Sequence, residues 1–273
     1  MSRGFDIVCG VIKHRINKDD KSAMVLIVGE MGSGKSLAAV SMASKIDATF
    51  SKHRTIVYTV EEFLEAVDNS KRGQCIIWDE VGVGIPAREW QSTQNKIMSI
   101  ITQILRFKNI AVIFTTPNIR FVDVNVRESM NMLIRPKTIM KEENVNVCKL
   151  FNIYVNDFGE VKYGKFIYFD GTNASGEWIE PLYIPRPSEE MEAFYKKLSI
   201  DMKNAKIKEL RDSINEGVVN PMEIQGIKNK ADACLKLVQF CRKTHTWDEL
   251  ASVVGINKKT MQLWLKADAV EAM

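Results

Sequence analysis

The residues with the plainest chemical potential are Gly29-Glu30-Met31-Gly32-Ser33-Gly34-Lys35-Ser36, a G-x-x-x-x-G-K-S run placed directly after the apolar Met24-Val25-Leu26-Ile27-Val28. Glycines at this spacing let the backbone fold back so that successive N–H groups point into one concavity, and a helix starting near Lys35 adds the positive end of its dipole. Such a nest holds phosphate oxygens. Lys35 supplies a point charge for the β- and γ-phosphates, and the Ser36 hydroxyl is placed to ligate Mg²⁺. The expected nucleotide-contact set runs from Gly29 to Leu37, with ATP and Mg²⁺ as the ligands. A second constellation is Cys75-Ile76-Ile77-Trp78-Asp79-Glu80, an apolar run that ends in two adjacent carboxylates. Phosphoryl transfer to water needs a metal anchor and a group that orients the attacking water. Asp79 suits the first role beside Ser36, and Glu80 suits the second.

Those residues must be held by elements, and the pattern of apolar residues says which. Residues 24–28 read as a strand, and Leu37, Ala38, Val40, Met42 and Ala43 follow at helical spacing. Thr55-Ile56-Val57-Tyr58 reads as a second strand. Thr59, with Glu62 three residues on, forms a capping box for a helix over Glu61–Asn69. Cys75–Trp78 is a further strand; Ile97, Ile101, Ile104 and Leu105 recur at helical spacing; and Ile110-Ala111-Val112-Ile113-Phe114 is a fully apolar run of strand length. Strands that alternate with helices and are apolar on both faces imply a parallel sheet covered on both sides. In such a sheet Asp79 and Glu80 project from the carboxyl end of a strand, into the crevice where ligands bind. Residues 1–22 read as a short lead-in whose basic cluster, Lys13, His14, Arg15 and Lys18, is a solvated surface. The Gly- and Pro-containing stretch 81–90 reads as a loop. Arg88 and Lys96 near it are candidates to track a phosphate backbone, with a solvated loop the favoured alternative.

Composition narrows the class. With 273 residues, 45% hydrophobic and 26% charged, the chain can hold one large α/β domain and one small one. No apolar run approaches the roughly 20 residues that span a bilayer, and the amino terminus lacks a signal peptide's apolar region, so membrane insertion is not expected and a cytoplasmic location is. The five cysteines, Cys9, Cys75, Cys148, Cys234 and Cys241, form no C-x-x-C pair. That spacing argues against a disulfide framework or a zinc site and for buried thiols. A formal net charge of +4 does not by itself imply a nucleic-acid partner.

The segment Leu105-Arg106-Phe107-Lys108-Asn109-Ile110-Ala111-Val112-Ile113-Phe114-Thr115-Thr116-Pro117, continuing to Phe121-Val122-Asp123-Val124, resembles the corresponding stretch of the HerA/FtsK superfamily of DNA-pumping ATPases. These include chromosome translocases, conjugative coupling ATPases, viral packaging ATPases and zonula occludens toxin-like phage ATPases. The resemblance covers about residues 23–140. It implies a RecA-like core and a ring, usually a hexamer, in which one subunit's arginine reaches its neighbour's γ-phosphate. Arg106 matches the basic residue before the strand and is the first candidate for that finger, with Arg120 and Arg127 behind it. The family usually has Gln just after Thr at the strand end, where this chain has Thr115-Thr116-Pro117-Asn118. Thr116 is the positional match for the sensor, and Asn118 offers the amide chemistry.

Beyond Pro136 the period changes. Val145–Val155 and Val161–Phe169 read as an antiparallel hairpin added to the sheet, turning at 156–160. Asp170–Gly176 is another turn, and Pro181, Pro185 and Pro187 end the domain. Ser188 caps a highly charged helix over Glu189–Asn215, read as an exposed linker. Further on, Leu235, Val238 and Cys241 mark one helix, Trp247–Val254 a second, Gly255-Ile256 a turn and Asn257–Lys266 a third, a pattern that resembles a DNA-binding helix-turn-helix. Between Lys228 and Lys266 stand eight Lys/Arg against three acids. Asn257, Lys258, Lys259 and Gln262, at the start of the third helix, are the candidate DNA contacts. The alternative there is a three-helix protein-interaction bundle. The expected organisation is therefore an ATPase domain over 1–187, a helical linker over 188–222 and a small all-α helix-turn-helix domain over 223–273. The expected partners are double-stranded DNA and further copies of the chain. The competing reading is a DNA-bound regulator that ATP switches between oligomeric states; a small-molecule kinase leaves the last fifty residues unexplained.

Overall fold

The computed structural model of the chain describes residues 3–81, 105, 107–122, 124–169 and 176–215. Arg88, Lys96, Arg106, the helix over Ile97–Ile104, most of the 170–176 turn, Cys234, Cys241 and the whole 223–273 module lie outside the described residues. The chain divides into two compact units, residues 1–198 and 199–273. The described part of the second is a single helical stretch, 199–215.

The first unit is built on an eight-stranded sheet. Its centre is β1 (Ala23–Val28), flanked by β4 (Ala111–Thr116) and β5 (Met132–Met140); beyond β4 lie β3 (Cys75–Trp78) and the short edge strand β2 (Ile56–Val57). The order β5-β1-β4-β3-β2 is parallel throughout, with Ala23 opposite Ala111 and Val28 opposite Thr116. Side chains alternate between the faces. Ala23, Val25 and Ile27 of β1, Cys75 and Ile77 of β3, and Ala111 and Ile113 of β4 pack with α1 (Arg3–Asn17) and α2 (Lys35–Ile46) in one core. Met24, Leu26, Ile76, Trp78, Val112 and Phe114 pack on the other face, with Phe63 and Val67 of α4 (Val60–Asn69). There Phe63 stacks on Trp78 with ring centroids 4.5 Å apart, a contact that adds about 1 kcal/mol to the burial itself.

Several expectations hold. The central β1–α2 unit, the strand over 75–78, the strand after Ile110 and the helix over Glu189–Asn215 are present. Thr59 caps α4 in a full capping box with Glu62. Cys9, Cys75 and Cys148 are buried free thiols; desolvation raises all three, to about 12 for Cys9 and Cys148. Among the described residues no helix is long and apolar enough to cross a membrane.

Three readings are corrected. Residues 3–17 are not a lead-in but α1, whose Phe5, Val8, Cys9, Ile12 and Ile16 form a buried helical stripe. The hairpin is real, β6 (Val145–Val155) with β7 (Val161–Lys165), but the run to Phe169 breaks at Phe166; β8 (Ile167–Tyr168) then pairs with β9 (Glu177–Trp178). Two further strands take part: β5 continues past Pro136 to pair antiparallel with β6, and β10 (Leu182–Pro185) pairs with the start of β6. A register shift between Pro136 and Thr138 makes Lys137 the extra residue, as expected where proline cannot donate to the ladder. The charged helix, α6 (Glu189–Asn215), is not exposed along its start: Met191 is buried, and Phe194 and Tyr195 pack against the α1–α2 core.

Candidate functional site

Period-2 alternation decides what meets at the carboxyl edge of the sheet. Asp79 continues the face of Cys75 and Ile77, and Thr115 continues the face of Ala111 and Ile113, so both look toward the amino end of α2. Ser36, in the first turn of α2, donates to Asp79 Oδ1 at 2.8 Å, and Thr115 Oγ1 donates to the same oxygen at 2.5 Å. Tyr195 of α6 donates to Asp79 Oδ2 at 2.7 Å. Asp79 is 1% exposed, and these three hydroxyls are what make its burial tolerable. Thr115 Oγ1 also accepts the Glu80 N–H at 2.9 Å, so one hydroxyl links the Asp79 carboxylate to the Glu80 backbone. Glu80 has φ 55°, a left-handed conformation that costs a non-glycine residue about 1–2 kcal/mol and turns its side chain out of the strand's alternation.

The 29–36 loop runs between β1 and α2. Gly32 and Gly34 both have positive φ, 79° and 82°. Gly34 is doubly constrained, because a Cβ there would lie 2.6 Å from Asn146 Nδ2. That amide comes from β6 and donates to the Ser33 carbonyl at 3.0 Å, pinning the loop from behind. Lys35 is 9% exposed, and its ammonium donates to the Glu30 carbonyl at 2.9 Å. Desolvation lowers its pKa, opposed by the charges of Asp79 and Glu80. Met31 is exposed at the loop tip, and Leu37 lies in the first turn of α2.

The residues present fit a phosphate group and a hard cation. The loop bends where only glycine bends readily, its cation has a carbonyl as its hydrogen-bond partner, and Ser33 Oγ is buried with no hydrogen-bond partner among the described residues. A serine hydroxyl beside a carboxylate is an oxygen donor set of the kind Mg²⁺ accepts.

The predicted site residues separate into those brought together and those not. Lys35, Ser36, Asp79 and Glu80 converge. Thr116 does not join them: its hydroxyl donates to the Asn118 carbonyl at 3.1 Å, and its neighbour Thr115 holds the acids instead. Asn118 Oδ1 caps the 3₁₀ turn Ile119–Phe121 by accepting from the Arg120 N–H at 3.0 Å. Its residue still lines an open cleft of about 460 Å³ with Gly29, Glu30, Ser33, Arg135 and Lys137. Arg120 is exposed, and Arg127, on α5 (Val124–Glu128), donates to the Tyr163 hydroxyl on β7 at 3.1 Å. Thr115, Asn146 and Tyr195, together with the cationic pair Arg135 and Lys137, were not singled out by the sequence reading. Strand alternation could have favoured Thr115 over Thr116; the others arrive by pairings and packing that no local pattern encodes.

A loop of this form after the central strand, an acidic strand one removed from it, and the order β5-β1-β4-β3-β2 define a RecA-like P-loop NTPase fold with an antiparallel extension on the β5 side. No protein-family model matches the sequence, and no curated protein does. Among solved structures the chain is similar to the N-terminal domain of zonular occludens toxin from Neisseria meningitidis, at 15% identity and a TM-score of 0.33 over 57% of this chain and 100% of that one. It is also similar to the genome packaging NTPase of Sulfolobus turreted icosahedral virus 2, solved with ATP-gammaS, at 12% identity and a TM-score of 0.30 over 55% and 99%. A KaiC-like protein from Pyrococcus horikoshii OT3 aligns at 12% identity and a TM-score of 0.30 over 52% and 89%.

Proposed function

We propose that the protein is a Mg²⁺-dependent ATP hydrolase that works in the cytoplasm as a DNA motor, assembled into a ring that acts on double-stranded DNA. The observation that carries the hydrolase reading is the Ser36–Asp79 hydrogen bond at the mouth of the glycine loop, which sets a hydroxyl and a carboxylate side by side where a nucleotide's phosphates would lie. In this reading the loop N–H groups and Lys35 bind the phosphates, and Ser36 and Asp79 hold the ion. Mg²⁺, when bound, neutralises charge that builds on the phosphate oxygens during transfer. Glu80, turned out of its strand and held by Thr115, orients the attacking water. Asn118 and Arg135 are on hand at the cleft, and Arg106 from a neighbouring copy completes the charge stabilisation. The DNA-motor reading rests on the resemblance over residues 23–140 and on the basic 223–273 module.

ATP turnover with and without long double-stranded DNA tests this. Wild type is expected to be strongly stimulated by DNA, Lys35→Ala to lose nucleotide binding or turnover, and Glu80→Gln to keep ATP while hydrolysing it at least about a hundredfold more slowly, as loss of a water-activating group does. Near-normal turnover in Glu80→Gln refutes its role. Turnover indifferent to DNA favours instead the ATP-switched regulator, in which the helix-turn-helix does the work.

A further inference from the structure

We infer that Tyr195 is a positioning residue of the nucleotide site, setting the Asp79 carboxylate for the divalent cation; this rests on the NTPase reading above. Asp79 offers about four lone-pair sites. Two on Oδ1 are taken by Ser36 and Thr115, and one on Oδ2 by the Tyr195 phenol at 2.7 Å. These hydroxyls are not equivalent. Ser36 is the group that turns to a cation, and its departure frees one acceptor of Oδ1 to offer toward the ion. Thr115 sits on the neighbouring strand and shares the oxygen that Ser36 leaves. Among the described residues Tyr195 alone grips the opposite oxygen, so it decides whether the carboxylate keeps Oδ1 toward the loop or rotates about χ2.

The helix that carries Tyr195 is held close by. The Arg54 guanidinium packs over the Phe194 ring at 4.8 Å and pairs with Glu190; Met191 is 3% exposed; and Glu192 takes Lys196 at 2.6 Å and Arg186 at 3.8 Å. The phenol is therefore delivered by a braced helix turn.

The test is Tyr195→Phe, which removes one oxygen and leaves the ring in its packing. Affinity for ATPγS is measured by calorimetry in Mg²⁺ and again in EDTA, for wild type and variant. The expected result is a metal-free affinity close to wild type and a gain in affinity on adding Mg²⁺ that is about tenfold smaller, the size of one lost hydrogen bond to a charged group. An identical Mg²⁺ gain in both proteins overturns the inference, and so does an equal loss with and without metal, which marks the phenol as a packing contact only. If wild type binds no ATPγS under either condition, the NTPase reading fails and takes this inference with it. Wild-type binding with an unaltered ratio in Tyr195→Phe sinks the inference alone.

Discussion

At the scale of single residues, the site is a set of short polar contacts whose geometry depends on side chains from distant parts of the chain. Asn146 shows how sharply. Its Nδ2 holds the Ser33 carbonyl at 3.0 Å and occupies the space that any Cβ at Gly34 needs. Gly34 is thus required by the motif's φ and again by a neighbour 112 positions later. Replacing Asn146 with Asp keeps the size but turns a donor into an acceptor facing a carbonyl, and adds negative charge behind a loop built for phosphate. Asn146→Asp is expected to weaken binding of a fluorescent ATP analogue about tenfold or more, while Asn146→Ala, which only removes the donor, costs less. Equal affinity in wild type and Asn146→Asp would show that the loop holds its form unaided.

Elements are joined at polar nodes as well as by apolar packing. Asp47 ends α2, and its carboxylate gathers Thr49 N–H and Oγ1 at 2.7 Å, the His53 ring at 2.7 Å and the Cys75 N–H of β3 at 3.0 Å. One acid thereby ties α2, the short helix α3 (Phe50–His53) and β3 together. Burial pushes its carboxyl pKa up, but the hydrogen bonds from Thr49, His53 and Cys75 outweigh that and hold it below the usual 3.8. A carboxyl whose folded pKa is depressed contributes stability above its unfolded pKa, and that contribution is lost as the pH falls through the folded value. Asp47→Asn is therefore expected to lower the denaturant midpoint at pH 7, with the gap to wild type narrowing below about pH 4. Urea titrations at pH 7 and pH 3 check this. A gap that is constant with pH would mean that the node acts through shape and not charge.

For the molecule as a whole, the proposal places ATP chemistry in the first unit and DNA contact in the basic carboxy-terminal module. The two make separate demands. Lys258 and Lys259 are expected to neutralise phosphates without regard to sequence, whereas Asn257 and Gln262 carry the paired donor and acceptor that read adenine. Replacing both lysines with Ala should weaken binding to every duplex and flatten the slope of log affinity on log salt by up to about 2. Basal ATPase should remain, because no phosphate-loop or acidic-strand residue lies in that module. Fluorescence anisotropy on labelled duplexes across a salt series measures the slope; wild-type binding at all salt concentrations would make the module a protein-interaction bundle.

Local pattern carried the parts of this protein in which chemistry and backbone requirement coincide within a few residues. The glycine loop, the apolar strands before it and after Ile110, the acids ending β3 and the Thr59–Glu62 capping box are each defined by neighbours in sequence, so their types and spacing suffice to place them. The amphipathic stripe of α1 was equally present, at Phe5, Val8, Ile12 and Ile16, but its basic residues drew the reading toward a solvated surface. What only the tertiary structure decided is which distant groups share the site. Asn146 reaches the loop because β5 bulges at Lys137 and brings β6 alongside, and Tyr195 reaches Asp79 because a charged helix buries its first turns on the α1–α2 core. The Asn146 and Tyr195 contacts are fixed by pairing and packing across more than a hundred residues, and a one-dimensional period of 2 or 3.6 holds no record of the partner it will meet.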